Sequence, residues 1–254
     1  MRALRQNSLN GPQDLQLITD GPVPSAGPAE VLIRVTAAGV NYVDISQARG
    51  TFAGGPQPPY LAGIEGAGEI IAVGEAVTDL EPGNHIIGAG IGGGAFAEYM
   101  TLPAAAAIPV PAGWSDGQAL GMVVSWPTAL AALKPLGGIT AGQTVLIHAA
   151  AGGTGQVAVK LAKHYGATVI GTASAAKHEV VRAQGADHVI GLNIGVLIQA
   201  APQVFGEVMN ELFELIAAGV LGPGQPTAYP LDEGAQTLAA LEARTTVGRL
   251  ALIP

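Results

Sequence analysis

The stretch His148-Ala149-Ala150-Ala151-Gly152-Gly153-Thr154-Gly155-Gln156 carries glycine at positions 152, 153 and 155. An apolar run, Thr144–His148, precedes it, and a helical pattern, Gln156–Tyr165, follows. Glycines allow a backbone to come close to a phosphate. The start of a helix adds free N–H groups and the positive end of its dipole. Ala151, Gly152, Gly153, Thr154 and Gly155 are therefore the candidate pyrophosphate-binding residues. The plainer reading is a glycine turn that only packs a helix onto a strand. A second strand, Ala167–Gly171, completes a strand–turn–helix–strand unit within about 30 residues, the context that favours a dinucleotide.

The end of that second strand selects among dinucleotides. An Asp or Glu there would bind a free ribose 2′-hydroxyl, but Gly171-Thr172-Ala173-Ser174 holds no acid. Ser174 can donate to a 2′-phosphate and Lys177 can neutralise it, which points to NADP(H). Taken alone, Lys177 also reads as a solvated helix residue.

The elements that position these residues form two patterns. Up to about residue 120 the chain reads as short strands and turns, with alternation in Glu30–Ala37, a strand growing out of Gly63–Ile71, and turns at Pro82-Gly83-Asn84 and Gly92-Gly93-Gly94. That spacing suggests a compact barrel or sandwich. Ser115 is placed to cap a helix through Ala119 and Leu120. From Thr144 the pattern is βαβ, continued by a helix Ala175–Gln184 stopped at Gly185 and a third strand Asp187–Ile190. Beyond Gly191 the expectation is helical, Pro202–Ala218 and Leu231–Arg244, with a last strand Arg249–Ile253.

Composition removes several classes of function. Of the 254 residues 49% are hydrophobic and 12% charged, enough for a buried core and unlike a disordered chain. The formal charge of −8 leaves no basic footprint for nucleic acid. No uninterrupted apolar run reaches the roughly 18 residues of a membrane span, and Met1–Arg5 leads into polar residues without a signal-peptide core. The absence of cysteine excludes disulfides and thiolate metal ligands, and fits a cytoplasmic setting. The five histidines, 85, 148, 164, 178 and 188, lack paired ligand spacing and read as surface or packing residues, so no metal site is expected.

The chain resembles the zinc-independent quinone oxidoreductases of the medium-chain dehydrogenase/reductase superfamily. The motifs that carry the resemblance are Ala37–Asp44, Gly63–Gly68, Gly94–Tyr99, Ala149–Gln156, and the ending from Tyr229-Pro230-Leu231 to Gly248–Leu252. The resemblance implies an α/β protein with a GroES-like β domain and a Rossmann-type nucleotide-binding domain. The GroES-like domain would be residues 1–120, the nucleotide-binding domain 121–193, and 194–254 would return to the first. Asn41 stands where zinc-dependent members have their first Cys, and Ile64 replaces a His before Glu65. The implied reaction is zinc-free hydride transfer from NADPH to a quinone or an α,β-unsaturated carbonyl. Asn41 would position substrate and nicotinamide, while Asp44 and Glu65 would fix loops through hydrogen bonds. Two tyrosines often line this pocket in bacterial members; the matching positions here are Ser46 and Phe52.

Against that family the chain is short. It passes from Gly185–Ile190 to Asn193–Leu197, so the strands that follow in relatives, with their helices, have no counterpart. With strand order 3-2-1, Thr144–His148 would become an open sheet edge, covered by Pro202–Ala218, by a homodimer contact or by another partner. The retained half would hold mainly adenosine and pyrophosphate. The alternatives are a relative that keeps partial nucleotide binding without redox chemistry, and a non-redox enzyme such as a cyclase working in the same cleft.

Overall fold

The computed structural model describes residues 1–90, 92–191, 198–221, 226–243 and 245–253. The chain divides into two units, Met1–Gly191 and Leu192–Pro254.

The first part of the larger unit is β-rich. A five-stranded antiparallel sheet runs in the order β7-β3-β5-β6-β8, with β3 Glu30–Gly39, β5 Glu65–Val73, β6 His85–Ala89, β7 Tyr99–Pro103 and β8 Ile108–Pro109. A second sheet sets β1 (Ala3–Gln6) between β2 (Leu15–Ile18) and β4 (Tyr60–Leu61), and a bridge joins Ala3 to Ala97. Val31, Ile33, Ile70, Ile86, Met100 and Leu102, all from the five-stranded sheet, form its core. Each fully buried isoleucine there contributes about 1.5–3 kcal/mol. Gly68 is fixed by close packing, because a Cβ would lie 2.0 Å from the Arg34 carbonyl oxygen on the neighbouring strand.

Between β3 and β4 the chain forms a short helix, α1, Tyr42–Ala48. Its β-branched residues disfavour helix, but capping compensates: the Asn41 N–H donates to Asp44 Oδ2 at 2.6 Å. Ser115 caps α2, Asp116–Ala119, by accepting from the Gln118 N–H. That helix is a single turn and stops before Leu120. Next comes α3, Ser125–Ala131, which continues as a wider π turn over Ala132–Leu136 containing Pro135.

The βαβ expectation is met in order and type. Strands β9 (Thr144–Ile147), β10 (Thr168–Thr172) and β11 (His188–Ile190) are parallel in the order β11-β10-β9, with α4 (Gly153–His164) and α5 (His178–Ala183) as crossovers. The strand bounds and helix ends fall within one residue of expectation, and the two helix starts differ more. Helix α4 begins at Gly153 and not at Gln156, because the glycines themselves take helical geometry. The helix expected over Ala175–Gln184 starts as a 3-10 turn, Ala175–Lys177, before α5.

Ala129 and Leu133 join Val159, Ala162, Ile147, Val169 and Val181 in a single core, so α3, α4 and α5 cover one face of this sheet. The pairing places Leu146, Ile170 and Ile190 on the other face. Leu146 there is 52% exposed and Ile190 48%. Among the described residues β9 pairs only with β10, so it is the open edge that a 3-2-1 order entails.

The smaller unit contains α6 (Pro202–Ala217) and a parallel pair, β12 (Thr227–Pro230) with β13 (Leu250–Ile253). A 3-10 turn, Leu231–Glu233, leads into α7, Gly234–Glu242. Gly219, at φ 72°, ends α6 as a left-handed stop. The motif residues Asn193–Leu197, and Arg244 at the end of the last expected helix, lie outside the described residues.

Candidate cofactor and substrate site

The glycine turn sits at the carboxyl end of β9. Ala149 takes a left-handed φ of 51°, and the Ala150 N–H donates to the Thr172 carbonyl at 3.0 Å, tying the turn to β10. Gly152 is the N-cap of α4, and its carbonyl accepts from the Gln156 N–H at 2.9 Å. Among the described residues, the N–H groups of Ala151, Gly153, Thr154 and Gly155 meet no acceptor. Gly152, Gly153 and Thr154 are exposed.

The glycines serve different ends. A Cβ on Gly155 would stand 2.3 Å from the Ala149 carbonyl oxygen and 2.8 Å from Ala150 Cα, so this glycine is needed for the turn to close on the helix. A Cβ on Gly153 would meet nothing within 4 Å. Open space in front of free N–H groups at a helix start suits an anion. The fold and the ligand thus ask for glycine at separate positions.

At the carboxyl end of β10, Ser174 is exposed and its hydroxyl makes no hydrogen bond within the described residues. Lys177, also exposed, forms no ion pair among them. The two residues bracket one 3-10 turn, closed by the Lys177 N–H on the Ser174 carbonyl at 2.8 Å. The residues present fit a pyrophosphate at the turn and a 2′-phosphate at this corner. His178, next in sequence, points its Nε2 at the Ala173 carbonyl, 3.1 Å away, and is a packing residue.

The Asn41 segment is organised around a buried carboxylate. Glu65 is 2% exposed; its Oε2 accepts from Asn41 Nδ2 at 2.9 Å and its Oε1 from the Gly121 N–H at 2.7 Å. Gly39 must lack a side chain, because a Cβ would fall 2.1 Å from Glu65 Oε2. The second Asn41 contact, Nδ2 to the Gly39 carbonyl, is long at 3.4 Å. The amide of Asn41 therefore faces inward.

Asp44 Oδ2 accepts from the Asn41 N–H at 2.6 Å, and its buried Oδ1 has no hydrogen-bond partner among the described residues. Burial raises its pKa above the usual carboxylate value and the Glu65 charge adds to this, while the nearby backbone N–H groups of Asn41 and Ile64 act against it. Tyr60 is raised too, by burial and then by the Asp44 charge. Residues of sequence interest thus converge on Glu65, whose signal was an acid placed at the head of an apolar strand.

The link continues beyond Glu65. The Gly121 carbonyl accepts from the Trp126 N–H at 2.9 Å at the start of α3, and α3 shares the core of α4, the helix that opens at the glycine turn. Asn41 and the glycine turn are connected through Glu65, Gly121 and α3. No group of three or more His, Asp or Glu stands together among the described residues.

Comparison with known proteins follows the same division. The family profile described as "Alcohol dehydrogenase GroES-like domain" matches residues 27–112. The prostaglandin reductase-3 of Bos taurus is 37% identical over 253 residues, covering 92% of this chain and 64% of its own length. A probable quinone oxidoreductase of Leishmania amazonensis is 40% identical over 177 residues, 68% of this chain and 51% of that protein. The chain thus spans about half to two-thirds of these relatives. The crystal structure of the Escherichia coli quinone oxidoreductase complexed with NADPH aligns over 100% of both chains, with a TM-score of 0.70 and 25% identity.

Proposed function

Because the chain belongs to the medium-chain dehydrogenase/reductase superfamily, we propose that it is an NADP(H)-dependent, zinc-independent reductase of quinones or α,β-unsaturated carbonyls. The observation that carries this reading is the set of unpaired N–H groups at Ala151, Gly153, Thr154 and Gly155 beside the open position at Gly153. Ser174 and Lys177 stand free at the corner where a 2′-phosphate would lie.

When bound, NADPH would supply the hydride. The chain's own residues bind and orient. The glycine turn takes the pyrophosphate, Ser174 and Lys177 take the 2′-phosphate, and Glu65 holds Asn41 and the start of α3 in one frame. In this reading Asn41 positions substrate by shaping the floor of the site. Residues 194–254 complete the GroES-like domain, and the protein works in the cytoplasm.

Titration with NADPH, followed by nucleotide fluorescence, is the first test. Absence of binding at millimolar nucleotide overturns the proposal. Oxidation of bound NADPH by a panel of quinones and enones then identifies the substrate class.

A second reading is favoured by one feature. Among the described residues the sheet ends at β9, and Leu146 and Ile190 on one face are about half exposed. A protein that keeps the nucleotide grip without hydride transfer would bind NADPH and leave it unoxidised by every member of the panel.

A further inference from the structure

A cavity of about 330 Å³ opens beside β7 in the β-rich part of the larger unit, walled by Met1, Pro22, Pro24 and Leu61. That volume is at the lower end of the range of about 300–1,000 Å³ in which ligand sites occur. None of its lining residues belongs to the glycine turn, the Ser174 corner or the Asn41 segment. Three consecutive residues of β7, Tyr99, Met100 and Thr101, also line it. Side chains alternate between the faces of a strand, so three in a row mean that the edge of the strand faces the cavity. β7 is the last strand of its sheet, with β3 as its one strand partner among the described residues.

The groups which that edge offers follow from the ladder. The Val35 N–H donates to the Glu98 carbonyl at 2.9 Å, and the Ala104 N–H donates to the Ala29 carbonyl at 2.9 Å. Leu32 lies opposite Thr101 and Arg34 opposite Tyr99. Even-numbered residues of β7 therefore bond to β3, while Tyr99 and Thr101 turn their N–H and C=O groups outward. Those outward groups meet no backbone partner among the described residues. The segment across the cavity is poorly suited to meeting them. Pro22 and Pro24 lack N–H groups, and the Gly21 N–H is spent on the Met1 carbonyl at 3.0 Å.

We propose that this edge of β7 binds an extended peptide segment, which adds a strand antiparallel to β7. One residue of the peptide exchanges both main-chain bonds with Thr101, and its large apolar side chain enters the cavity. Pro103, the next outward-facing position, has no N–H, so the pairing stops there. So short an edge does not recruit strands indiscriminately, and the cavity makes the choice by side chain. The site is independent of the reductase reading.

The probe is a fluorescein-labelled peptide, Thr-Val-Phe-Val-Thr with an amidated end, titrated with the full chain and followed by anisotropy. Saturable binding is expected. N-methylation of the Phe removes the donor to the Thr101 carbonyl and should weaken binding about tenfold, as should Ala in place of Phe. Thr101→Pro removes the outward N–H and leaves the ladder to β3 intact, at a position where edge strands accept proline. It should weaken the peptide about tenfold at an unchanged unfolding temperature. Should Thr101→Pro lower that temperature, Gly92→Leu takes its place. Gly92 lines the cavity, a Cβ there meets nothing within 4 Å, and the added side chain should block the socket. No binding at millimolar peptide, or equal affinity for the Phe and N-methyl-Phe peptides, overturns the proposal. Self-association that Thr101→Pro abolishes, without peptide binding, assigns the edge to a second copy and overturns it as well.

Discussion

The carboxylate of Glu65 accepts the N–H of Gly121 at 2.7 Å, across 56 residues of sequence, while its other oxygen holds Asn41. A buried carboxylate without a cationic partner is tolerated only when donors satisfy it. Here those donors come from the residue before α1 and from the segment between α2 and α3. One buried side chain therefore sets the position of the candidate substrate residue against the start of α3, which packs on the helix opening at the candidate cofactor turn.

Replacing Glu65 with Gln should destabilise the protein by about 1–3 kcal/mol, because one of two buried donors then faces an N–H₂ group. Nucleotide affinity should hold while substrate KM rises. Thermal unfolding and nucleotide titration of the same sample separate the two effects.

The glycines of the turn should divide by phenotype. Gly155→Ala brings a Cβ to 2.3 Å from backbone and should cost about 1–3 kcal/mol of stability. Gly153→Val should leave the unfolding temperature nearly unchanged and abolish NADPH binding. Equal affinity in Gly153→Val and the wild type would remove the pyrophosphate from this position.

Lys177→Ala should weaken NADPH by about tenfold, the loss of one exposed charge-assisted contact, and leave NADH unaffected. Equal losses for both nucleotides would show that Lys177 does not reach a 2′-phosphate. Parallel titrations at two salt concentrations check that the effect is electrostatic.

Asp44 gives a pH dependence of defined sign. Its folded pKa is raised, chiefly by burial, so the folded state binds this proton more tightly than the unfolded chain does. Its stabilising contribution is full below the unfolded value of 3.8 and is lost as pH rises through the folded value. Asp44→Asn should flatten that part of the stability curve, measured as unfolding temperature against pH. Asp187 acts in the opposite direction. Its pKa is lowered by the Lys163 side chain and then by the Val169 N–H, so its contribution is lost as pH falls through the folded value.

Much of this was legible in the sequence wherever local rules decide. The strand–glycine–helix–strand order, the Ser115 cap and the stops at Gly185 and Gly219 follow from periodicity and backbone freedom. Helix α1 was not, since Val43 and Ile45 argue for strand and the Asn41–Asp44 capping that overrules them becomes persuasive only with the site in view. Helix α3 was hidden by Pro127, which is harmless in a first turn. For the site, the glycines, Ser174 and Lys177 could be named from type and spacing. The inward turn of the Asn41 amide could not, because it depends on Glu65, 24 residues away.

The parallel sheet runs β11-β10-β9, so the chain steps steadily away from β9, which has β10 as its one partner among the described residues. Strands added beyond β9 would break none of the present ladder bonds, and strands removed there would leave every remaining register intact. Length differences among relatives can therefore arise at this boundary by single insertions or losses in either direction, with the candidate phosphate-binding corner carried through unchanged. The open edge is a seam along which the fold can be lengthened or shortened during descent.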